Sequence, residues 1–278
     1  MKIVLAFLAC TVGCGFQSTA TGNVDASVPD AMVDAAIDAP ELPPVDAPID
    51  APETGRTRTG LIGLWELDEA GGETMADTSG ELPPVTLTAT LGDITLADGE
   101  MTPIGTAVVT SAVRPRLDQQ VMVAGAVTLE AWVKPSLADQ GTLDAPAVVA
   151  GLDGSIKTRN ISLLQAGTKW LARVRTTVDQ NGGPDLLSDV DVSVDSMTHL
   201  MVVADATRRV LYVNGVLAAS SPVPGPPLAW DQAYFMTLGN EGSSNRQWAG
   251  TFALVAMYAR ALATEQVTNH YDAGPDAK

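Results

Sequence analysis

His199–Ser221 reads HLMVVADATRRVLYVNGVLAASS. Leu200, Val202 and Ala204 alternate with Met201 and Val203, which places two apolar sets on opposite faces of one strand. Val210–Val213 and Val216–Ala219 follow as two more apolar runs, separated only by Asn214-Gly215. Asn-Gly supplies positive φ at both central positions of a type I′ turn, the tightest hairpin connection. The stretch is therefore antiparallel β-structure, and the rest of the chain organises around it.

Outward from this hairpin, apolar runs stay short, rich in Val, Leu and Thr, and punctuated by Gly, Pro, Asn and Asp. Strands are expected at Leu61–Leu67, Val85–Leu91, Ile104–Val109, Val127–Val133, Ala147–Gly151, Ile161–Leu164 and Lys169–Arg175. They continue at His199–Ala204, Val210–Val213, Val216–Ala219, Tyr234–Leu238 and Gly250–Tyr258. That density of short strands predicts an all-β, two-sheet antiparallel sandwich over residues 57–278. One short helix is expected at the C-terminus, with Thr264 as N-cap, Glu265 at its positive end and Gly274 at its close.

The N-terminus, MKIVLAFLACTVGCGF, has Lys2 as a minimal charged region and Ile3–Ala9 as a short apolar core. That core is too short to span a bilayer, so residues 1–14 read as an export signal. Thr11-Val12-Gly13-Cys14 looks like a bacterial lipobox, which makes Cys14 the expected lipidation site. Phe7-Leu8-Ala9-Cys10 is a weaker competitor, and an ordinary cleaved signal is the plain alternative. Cys10 and Cys14 are the only cysteines, so the remainder has no disulfide, thiolate metal site or cysteine nucleophile. Residues 15–56 are rich in Ala, Asp and Pro; the prolines at 29, 40, 43, 44, 48 and 52 stop any helix from propagating, and acids outnumber the single arginine. This composition predicts a disordered, self-repelling spacer. The expected location is the bacterial cell envelope (outer membrane or cell surface), with membrane contact through the lipid anchor alone.

Several segments together resemble the laminin-G-like, concanavalin A-like lectin/glucanase family. Leu64–Glu69 with Asp77-Thr78-Ser79-Gly80 is similar to its opening strand and loop, and Val127–Pro135 to its central strand. Leu211–Gly215 is similar to its hairpin, and Gly250-Thr251-Phe252 with Tyr258–Leu262 to its closing strand and helix entry. The resemblance implies a jelly-roll sandwich. It does not imply one activity, because the fold hosts lectins, adhesion modules, carbohydrate-binding modules and hydrolases.

Chemistry narrows this further. The alternating acidic strand of related glucanases is missing: Glu130 stands alone on its strand, and Glu66 with Asp68 on the first strand are the nearest pair. No Gly-x-Ser-x-Gly elbow is present in the domain, so the expectation is a chain that is not an enzyme. His199 and His270 are the only histidines, which excludes a multi-histidine metal site. The family often carries a structural calcium, and Asp68 and Asp77 match its acidic positions in the opening pattern. Ala253-Leu254 stand where the family usually has Asp-Glu, so the domain is expected to fold without calcium. Trp65, Trp132 and Trp248 read as packed, leaving Trp230, after the Pro-rich loop, and Tyr234 as ligand-binding candidates. A net charge of −17 and the lone basic pair Arg208-Arg209 exclude nucleic acid as a partner. The favoured function is a surface-tethered binding or adhesion module for glycan. The alternatives are a structural envelope protein that binds another protein through a sheet edge, and a glycoside hydrolase or lyase of the same fold.

Overall fold

Side-chain alternation decides which face of each strand meets the core. In a computed structural model, which describes residues 55–112, 115–155, 158–178, 180, 182–222, 225–243 and 245–277, fourteen strands and two helices form. The export signal, Cys14 and the spacer up to residue 54 lie outside the described residues. Gly55 and Arg56 do not, and Arg56 belongs to the folded body rather than to the expected spacer.

The strands are β1 (Leu61–Trp65), β2 (Thr74–Met75), β3 (Leu87–Ala97), β4 (Glu100–Ser111), β5 (Val127–Pro135), β6 (Ala147–Ser155) and β7 (Thr158–Ala166). They continue with β8 (Lys169–Val174), β9 (Leu186–Asp191), β10 (Thr198–Ala204), β11 (Arg208–Val213), β12 (Val216–Pro222), β13 (Phe235–Leu238) and β14 (Gly250–Tyr258). All pairings are antiparallel, in the order β12-β11-β10-β5-β14-β4-β13-β6-β7-β8-β9, with β1 on β14 and β3 on β4. Strand β4 reaches both layers, pairing Met101 with Phe252 of β14 and Val109 and Thr110 with β13. The expected two-sheet jelly-roll is the architecture found.

Val127, Leu129, Ala131 and Val133 of β5 face the main core with Leu200, Val202 and Ala204 of β10. Thr128, Glu130 and Trp132 take the opposite face, where Met201, Val203, Tyr212, Tyr258 and Val267 form a second apolar layer beneath the C-terminal helix. Asn214 and Gly215 adopt φ of 52° and 74°, so the β11–β12 hairpin has the expected turn.

Three expectations change. Strand β1 stops at Trp65, because Leu67 turns into the left-handed region at φ 57° and buries its side chain in the core. Glu66 and Asp68 are therefore not neighbours on one strand face. The runs expected at 85–91 and 104–109 extend into a long β3–β4 hairpin closed by Asp98-Gly99, both at positive φ (56° and 76°), which is the same turn chemistry as Asn-Gly. A second helix, α1 (Pro115–Ala124), adds Leu117 and Val121 to the core. Its local signal is Pro at the first helical position and Gly125 at the close, at φ 65°.

The C-terminal helix α2 (Thr264–Ala273) is capped by Ala263, not Thr264. Ala263 has no side-chain acceptor, and Gln266 Oε1 instead accepts the Ala263 backbone N–H at 3.1 Å. Thr264 lies inside the first turn, and its hydroxyl bonds the Tyr212 hydroxyl at 3.0 Å. Gly274 ends the helix at φ 80°, as expected.

Candidate functional site

Glu130, on the outer face of β5, is fully buried and organises this side of the molecule. Its Oε1 accepts from Arg56 Nη1 at 2.5 Å and from His199 Nε2 at 3.1 Å; its Oε2 accepts from His270 Nδ1 at 3.0 Å and from the Tyr258 hydroxyl at 3.4 Å. His270 Nε2 accepts the Thr57 backbone N–H at 3.0 Å, so its proton sits on Nδ1. Burial alone would raise the Glu130 pKa, but the Arg56 guanidinium and the two histidines hold it well below the ordinary carboxylate value. Arg56 also donates to the carbonyls of Gly274 and Ala277, each at 3.2 Å. The N-terminal edge of the domain and its C-terminal tail are thus fastened through one carboxylate. A carboxylate whose acceptors are this fully engaged has no lone pair free for acid–base work, so Glu130 is a structural node.

Beside this node opens a cavity of about 660 Å³. Tyr271 gives this cavity its exposed aromatic wall, and the buried Trp132 packs behind it, with ring centroids 5.9 Å apart and planes within 4° of parallel. The His199 ring lies 4.7 Å from Trp132. Trp132 is 5 % exposed and Tyr271 38 %. Trp132 Nε1 and His199 Nδ1 are buried with no hydrogen-bond partner among the described residues, and an unmet buried polar atom costs about 1–3 kcal/mol. Carboxylates complete the lining: Asp98 and Glu100 from the β3–β4 turn, Asp272 from α2 and Asp276 from the tail. Glu100 is paired with Lys134 Nζ at 3.1 Å. Ala253 also lines the cavity, so the position where acids are expected from the resemblance gives this wall a methyl group instead.

The residues singled out from the sequence do not assemble here. Trp230 is 5 % exposed, packs in the main core and donates its Nε1–H to the Arg175 carbonyl at 2.9 Å, so it offers no face to a ligand. Tyr234 is half-buried and packs over Gly154 of β6. Asp77 uses both oxygens internally: Oδ1 accepts from the N–H groups of Leu64 and Ser79 at 3.2 and 3.0 Å, and Oδ2 from the Val85 N–H at 2.9 Å and Arg116 Nη2 at 3.1 Å. Asp68 is exposed, and Ala253 and Leu254 bring no side-chain oxygen. This donor set does not fit calcium, which takes six to eight oxygens; among the described residues, no group of three His, Cys, Asp or Glu side chains is placed to hold a metal.

Trp132 was readable. It falls in phase with Thr128 and Glu130, not with Leu129, Ala131 and Val133, which places it on the face away from the main core. Tyr271 and the acids were not readable, because they reach the cavity from segments distant in sequence.

The laminin-G model of the concanavalin A-like lectin/glucanases superfamily matches residues 109–268. The chain belongs to that superfamily. No curated protein sequence matches the chain. Among solved structures, it is similar to a Trypanosoma rangeli sialidase in complex with 2,3-difluorosialic acid as a covalent intermediate (16 % identity, TM-score 0.55, 76 % of this chain and 33 % of that one). It is also similar to the receptor-binding domain of botulinum neurotoxin C/D mosaic serotype (11 % identity, TM-score 0.59, 78 % and 52 %). A botulinum neurotoxin DC binding domain in complex with SialylT matches at 9 % identity and TM-score 0.57, covering 78 % and 51 %. The chain spans about a third of the sialidase chains it matches, and at these identities the likeness is one of fold.

The expectation that the chain is not an enzyme is corrected by these matches. It rested on the missing acidic strand of glucanases, yet sialidases, which form a covalent intermediate, contain a chain region of this same fold. The missing strand therefore gives no ground for calling this superfamily member a non-enzyme.

Proposed function

We propose that this domain binds glycan in the cavity beside Glu130. The observation that carries the reading is the exposed Tyr271 ring, backed by Trp132, facing carboxylates in a cavity of about 660 Å³. Sugar rings present C–H faces that pack on aromatic rings, and their hydroxyls donate to carboxylate oxygens. The superfamily and a neighbour described as bound to SialylT support a glycan as the ligand class. Screening the full chain on a glycan array tests the proposal. Binding that Tyr271→Ala abolishes without lowering the melting temperature is expected; no binding to any glycan overturns it.

A second reading, docking of another protein on a sheet edge, is favoured by β12. This strand ends the sheet order and exposes Val216 (68 %) and Leu217 (56 %). Capture of a purified envelope protein that is lost in Leu217→Lys and kept in Tyr271→Ala would favour that edge.

The setting we propose is the bacterial envelope, with Cys14 lipidated and residues 15–54 holding the domain away from the membrane. The short apolar leader and the lipobox-like Thr11–Cys14 support this. If Cys14→Ser still fractionates with membranes as an acylated protein, the anchor is elsewhere. Calcium, we propose, adds little stability, because Ala253 and Leu254 bring no side-chain oxygen; a tight site saturated a hundredfold over its Kd would instead add about 2.7 kcal/mol. Melting curves in EDTA and in calcium should coincide, and a rise of many degrees with calcium overturns this.

A further inference from the structure

His270 joins two distant parts of the chain through one ring. Its Nδ1–H donates to Glu130 Oε2 at 3.0 Å, and its Nε2 accepts the Thr57 N–H at 3.0 Å. The second bond exists only while Nε2 keeps its lone pair. A second proton makes both ring nitrogens donors, so Nε2–H and the Thr57 N–H point at each other and one of them must move. His270 is the fixed partner, fully buried on α2. Thr57 belongs to a segment outside any strand or helix, between Gly55 and Gly60, whose φ values are 102° and 78°. Glycine changes backbone region at little steric cost, so the segment can swing there while Gly60 still accepts the Ala259 N–H at 2.8 Å.

The same segment carries Arg56, whose guanidinium is the counter-charge of Glu130 and ties the tail through the Gly274 and Ala277 carbonyls. While His270 is neutral, Arg56 is held, because its departure would leave a fully buried carboxylate without a cation. A proton on His270 removes that obstacle. The new charge arises on a ring whose Nδ1–H already points at Glu130 Oε2, so the carboxylate stays paired as Arg56 leaves. Two cations on one carboxylate also repel each other. The charged and titratable groups around the ring are Glu130 of β5, His199 of β10 on the other carboxylate oxygen, the Tyr258 ring of β14 at 5.6 Å and Arg56. On α2 itself, Tyr271 and Asp272 follow it. Burial favours neutral His199, and the cations around Glu130 keep it ionised.

We infer that His270 is a proton-operated clasp: in acid it takes a second proton, releases Thr57 and Arg56, and frees the tail that Arg56 holds. Gly274, Pro275 and Asp276 of that tail line the cavity, so the cavity wall loosens with the clasp. The clasp concerns the two ends of the domain and stands whether or not the cavity takes a glycan. The open form binds one more proton than the closed form, so opening gains up to about tenfold per pH unit of acidification.

The test is amide hydrogen exchange of the full chain at about pH 7.5 and about pH 5, on either side of the range where histidine gains its charge, corrected for intrinsic rates. Protection over residues 56–59 is expected to fall roughly tenfold or more at the lower pH, while β5 and β14 keep theirs. His270→Gln is the control, because its Oε1 can accept the Thr57 N–H and its Nε2 can donate to Glu130 without titrating. That variant is expected to stay closed at both pH values. Equal protection of the wild type at both pH values overturns the clasp. Loss that spreads through β5 and β14 overturns it too, because the event is then unfolding of the whole domain. Opening of His270→Gln in acid overturns the assignment to this ring. Should the variant fail to fold, imidazole nitrogen NMR spectra of the wild type decide. Protonation of His270 together with exposure of the Thr57 amide and movement of the Gly274 and Ala277 carbonyl resonances supports the clasp; protonation with Thr57 still protected overturns it.

Discussion

At the scale of single residues, buried charge sets how this domain responds to pH. Asp118 on α1 is fully buried; its Oδ1 accepts from Asn160 Nδ2 at 2.7 Å, and its Oδ2 has no partner. Burial pushes its pKa up to about 7. An acid whose folded pKa lies above its unfolded value of 3.8 binds more protons when folded, so stability falls as pH rises from about 4 to about 7. Asp118→Asn keeps the bond to Asn160 and removes the charge. It should leave the melting temperature nearly unchanged at about pH 4 and raise stability at about pH 8, by on the order of a few kcal/mol. A variant that is equally affected at both pH values would show that Asp118 is not the titrating group. Two other groups act in the opposite sense. Burial lowers the His199 pKa from 6.5, so its contribution is present above that value and is lost as pH falls. Glu130, held low by Arg56 and the histidines against its burial, contributes above about 4.5 and loses that contribution in acid.

Glu130→Gln tests the node itself. Arg56 would keep its buried position without a counter-charge, and breaking one side of a buried pair costs about 3–5 kcal/mol. The urea midpoint should drop accordingly; an unchanged midpoint would show that the guanidinium finds other acceptors. His199, His270, Tyr258 and Arg56 were each visible in the sequence, but no spacing rule joins positions 56, 130, 199, 258 and 270. Their meeting depends on β10 pairing with β5 in a register that sets His199 opposite Trp132, and on α2 folding back over that face.

At the scale of elements, the β11–β12 hairpin does more than turn the chain. Asn214 Oδ1 accepts the His199 N–H at 2.9 Å, and the Asn214 N–H donates to the His199 carbonyl at 2.8 Å, so the turn steadies a ligand of the Glu130 node. A Cβ on Gly215 would lie 3.0 Å from Tyr271 Cβ and 3.1 Å from its ring. Gly215→Val therefore meets two obstacles, a β-branched residue at φ 74° and a clash with the aromatic wall. A loss on the order of 2–4 kcal/mol is expected, with weakened glycan binding as Tyr271 is displaced. Full binding by a folded Gly215→Val variant would separate the turn from the site. The hairpin was legible because its signal is local. The second hairpin carried an equally local signal in Asp98-Gly99, and reading it would have extended β3 and β4 and brought Asp98 and Glu100 into view together. Helix α1 was harder to see, because only Leu117, Asp118 and Val121 are buried on its inner side.

At the scale of the whole molecule, Arg56 is the first described residue whose side chain is buried in the fold. Removing residues 1–54 should leave the melting temperature within about 1–2 °C, because the segment lacks the apolar mass to form a core. Removing residues 1–56 takes away Arg56 and strands Glu130. The loss should be roughly 5–15 °C, read by thermal melting of the two truncations side by side. If they melt together, Arg56 is not the fastening point.

What the sequence alone determined is what short-range physics controls. Strand alternation assigned β5 and β10 their core faces, Asn214-Gly215 set the turn, and the order of weak motifs from Leu64 to Leu262 pointed to the superfamily. The charge balance, the lone histidines and the missing acidic strand narrowed the chemistry, although the last did not decide whether catalysis occurs. Only the tertiary structure decided the site. Trp230 looked like a surface ring because it follows prolines, yet the core had room for it and Arg175 had a carbonyl to receive its N–H. Trp132 is packed, as its apolar run implies, but its phase puts it in the second apolar layer beneath α2, behind Tyr271. A ligand cavity is made by residues from separate segments whose proximity is set by pairing register and helix docking, and those are global outcomes of burying the most apolar surface. Local pattern can therefore name the strands, but the three-dimensional packing selects which of their side chains face a ligand.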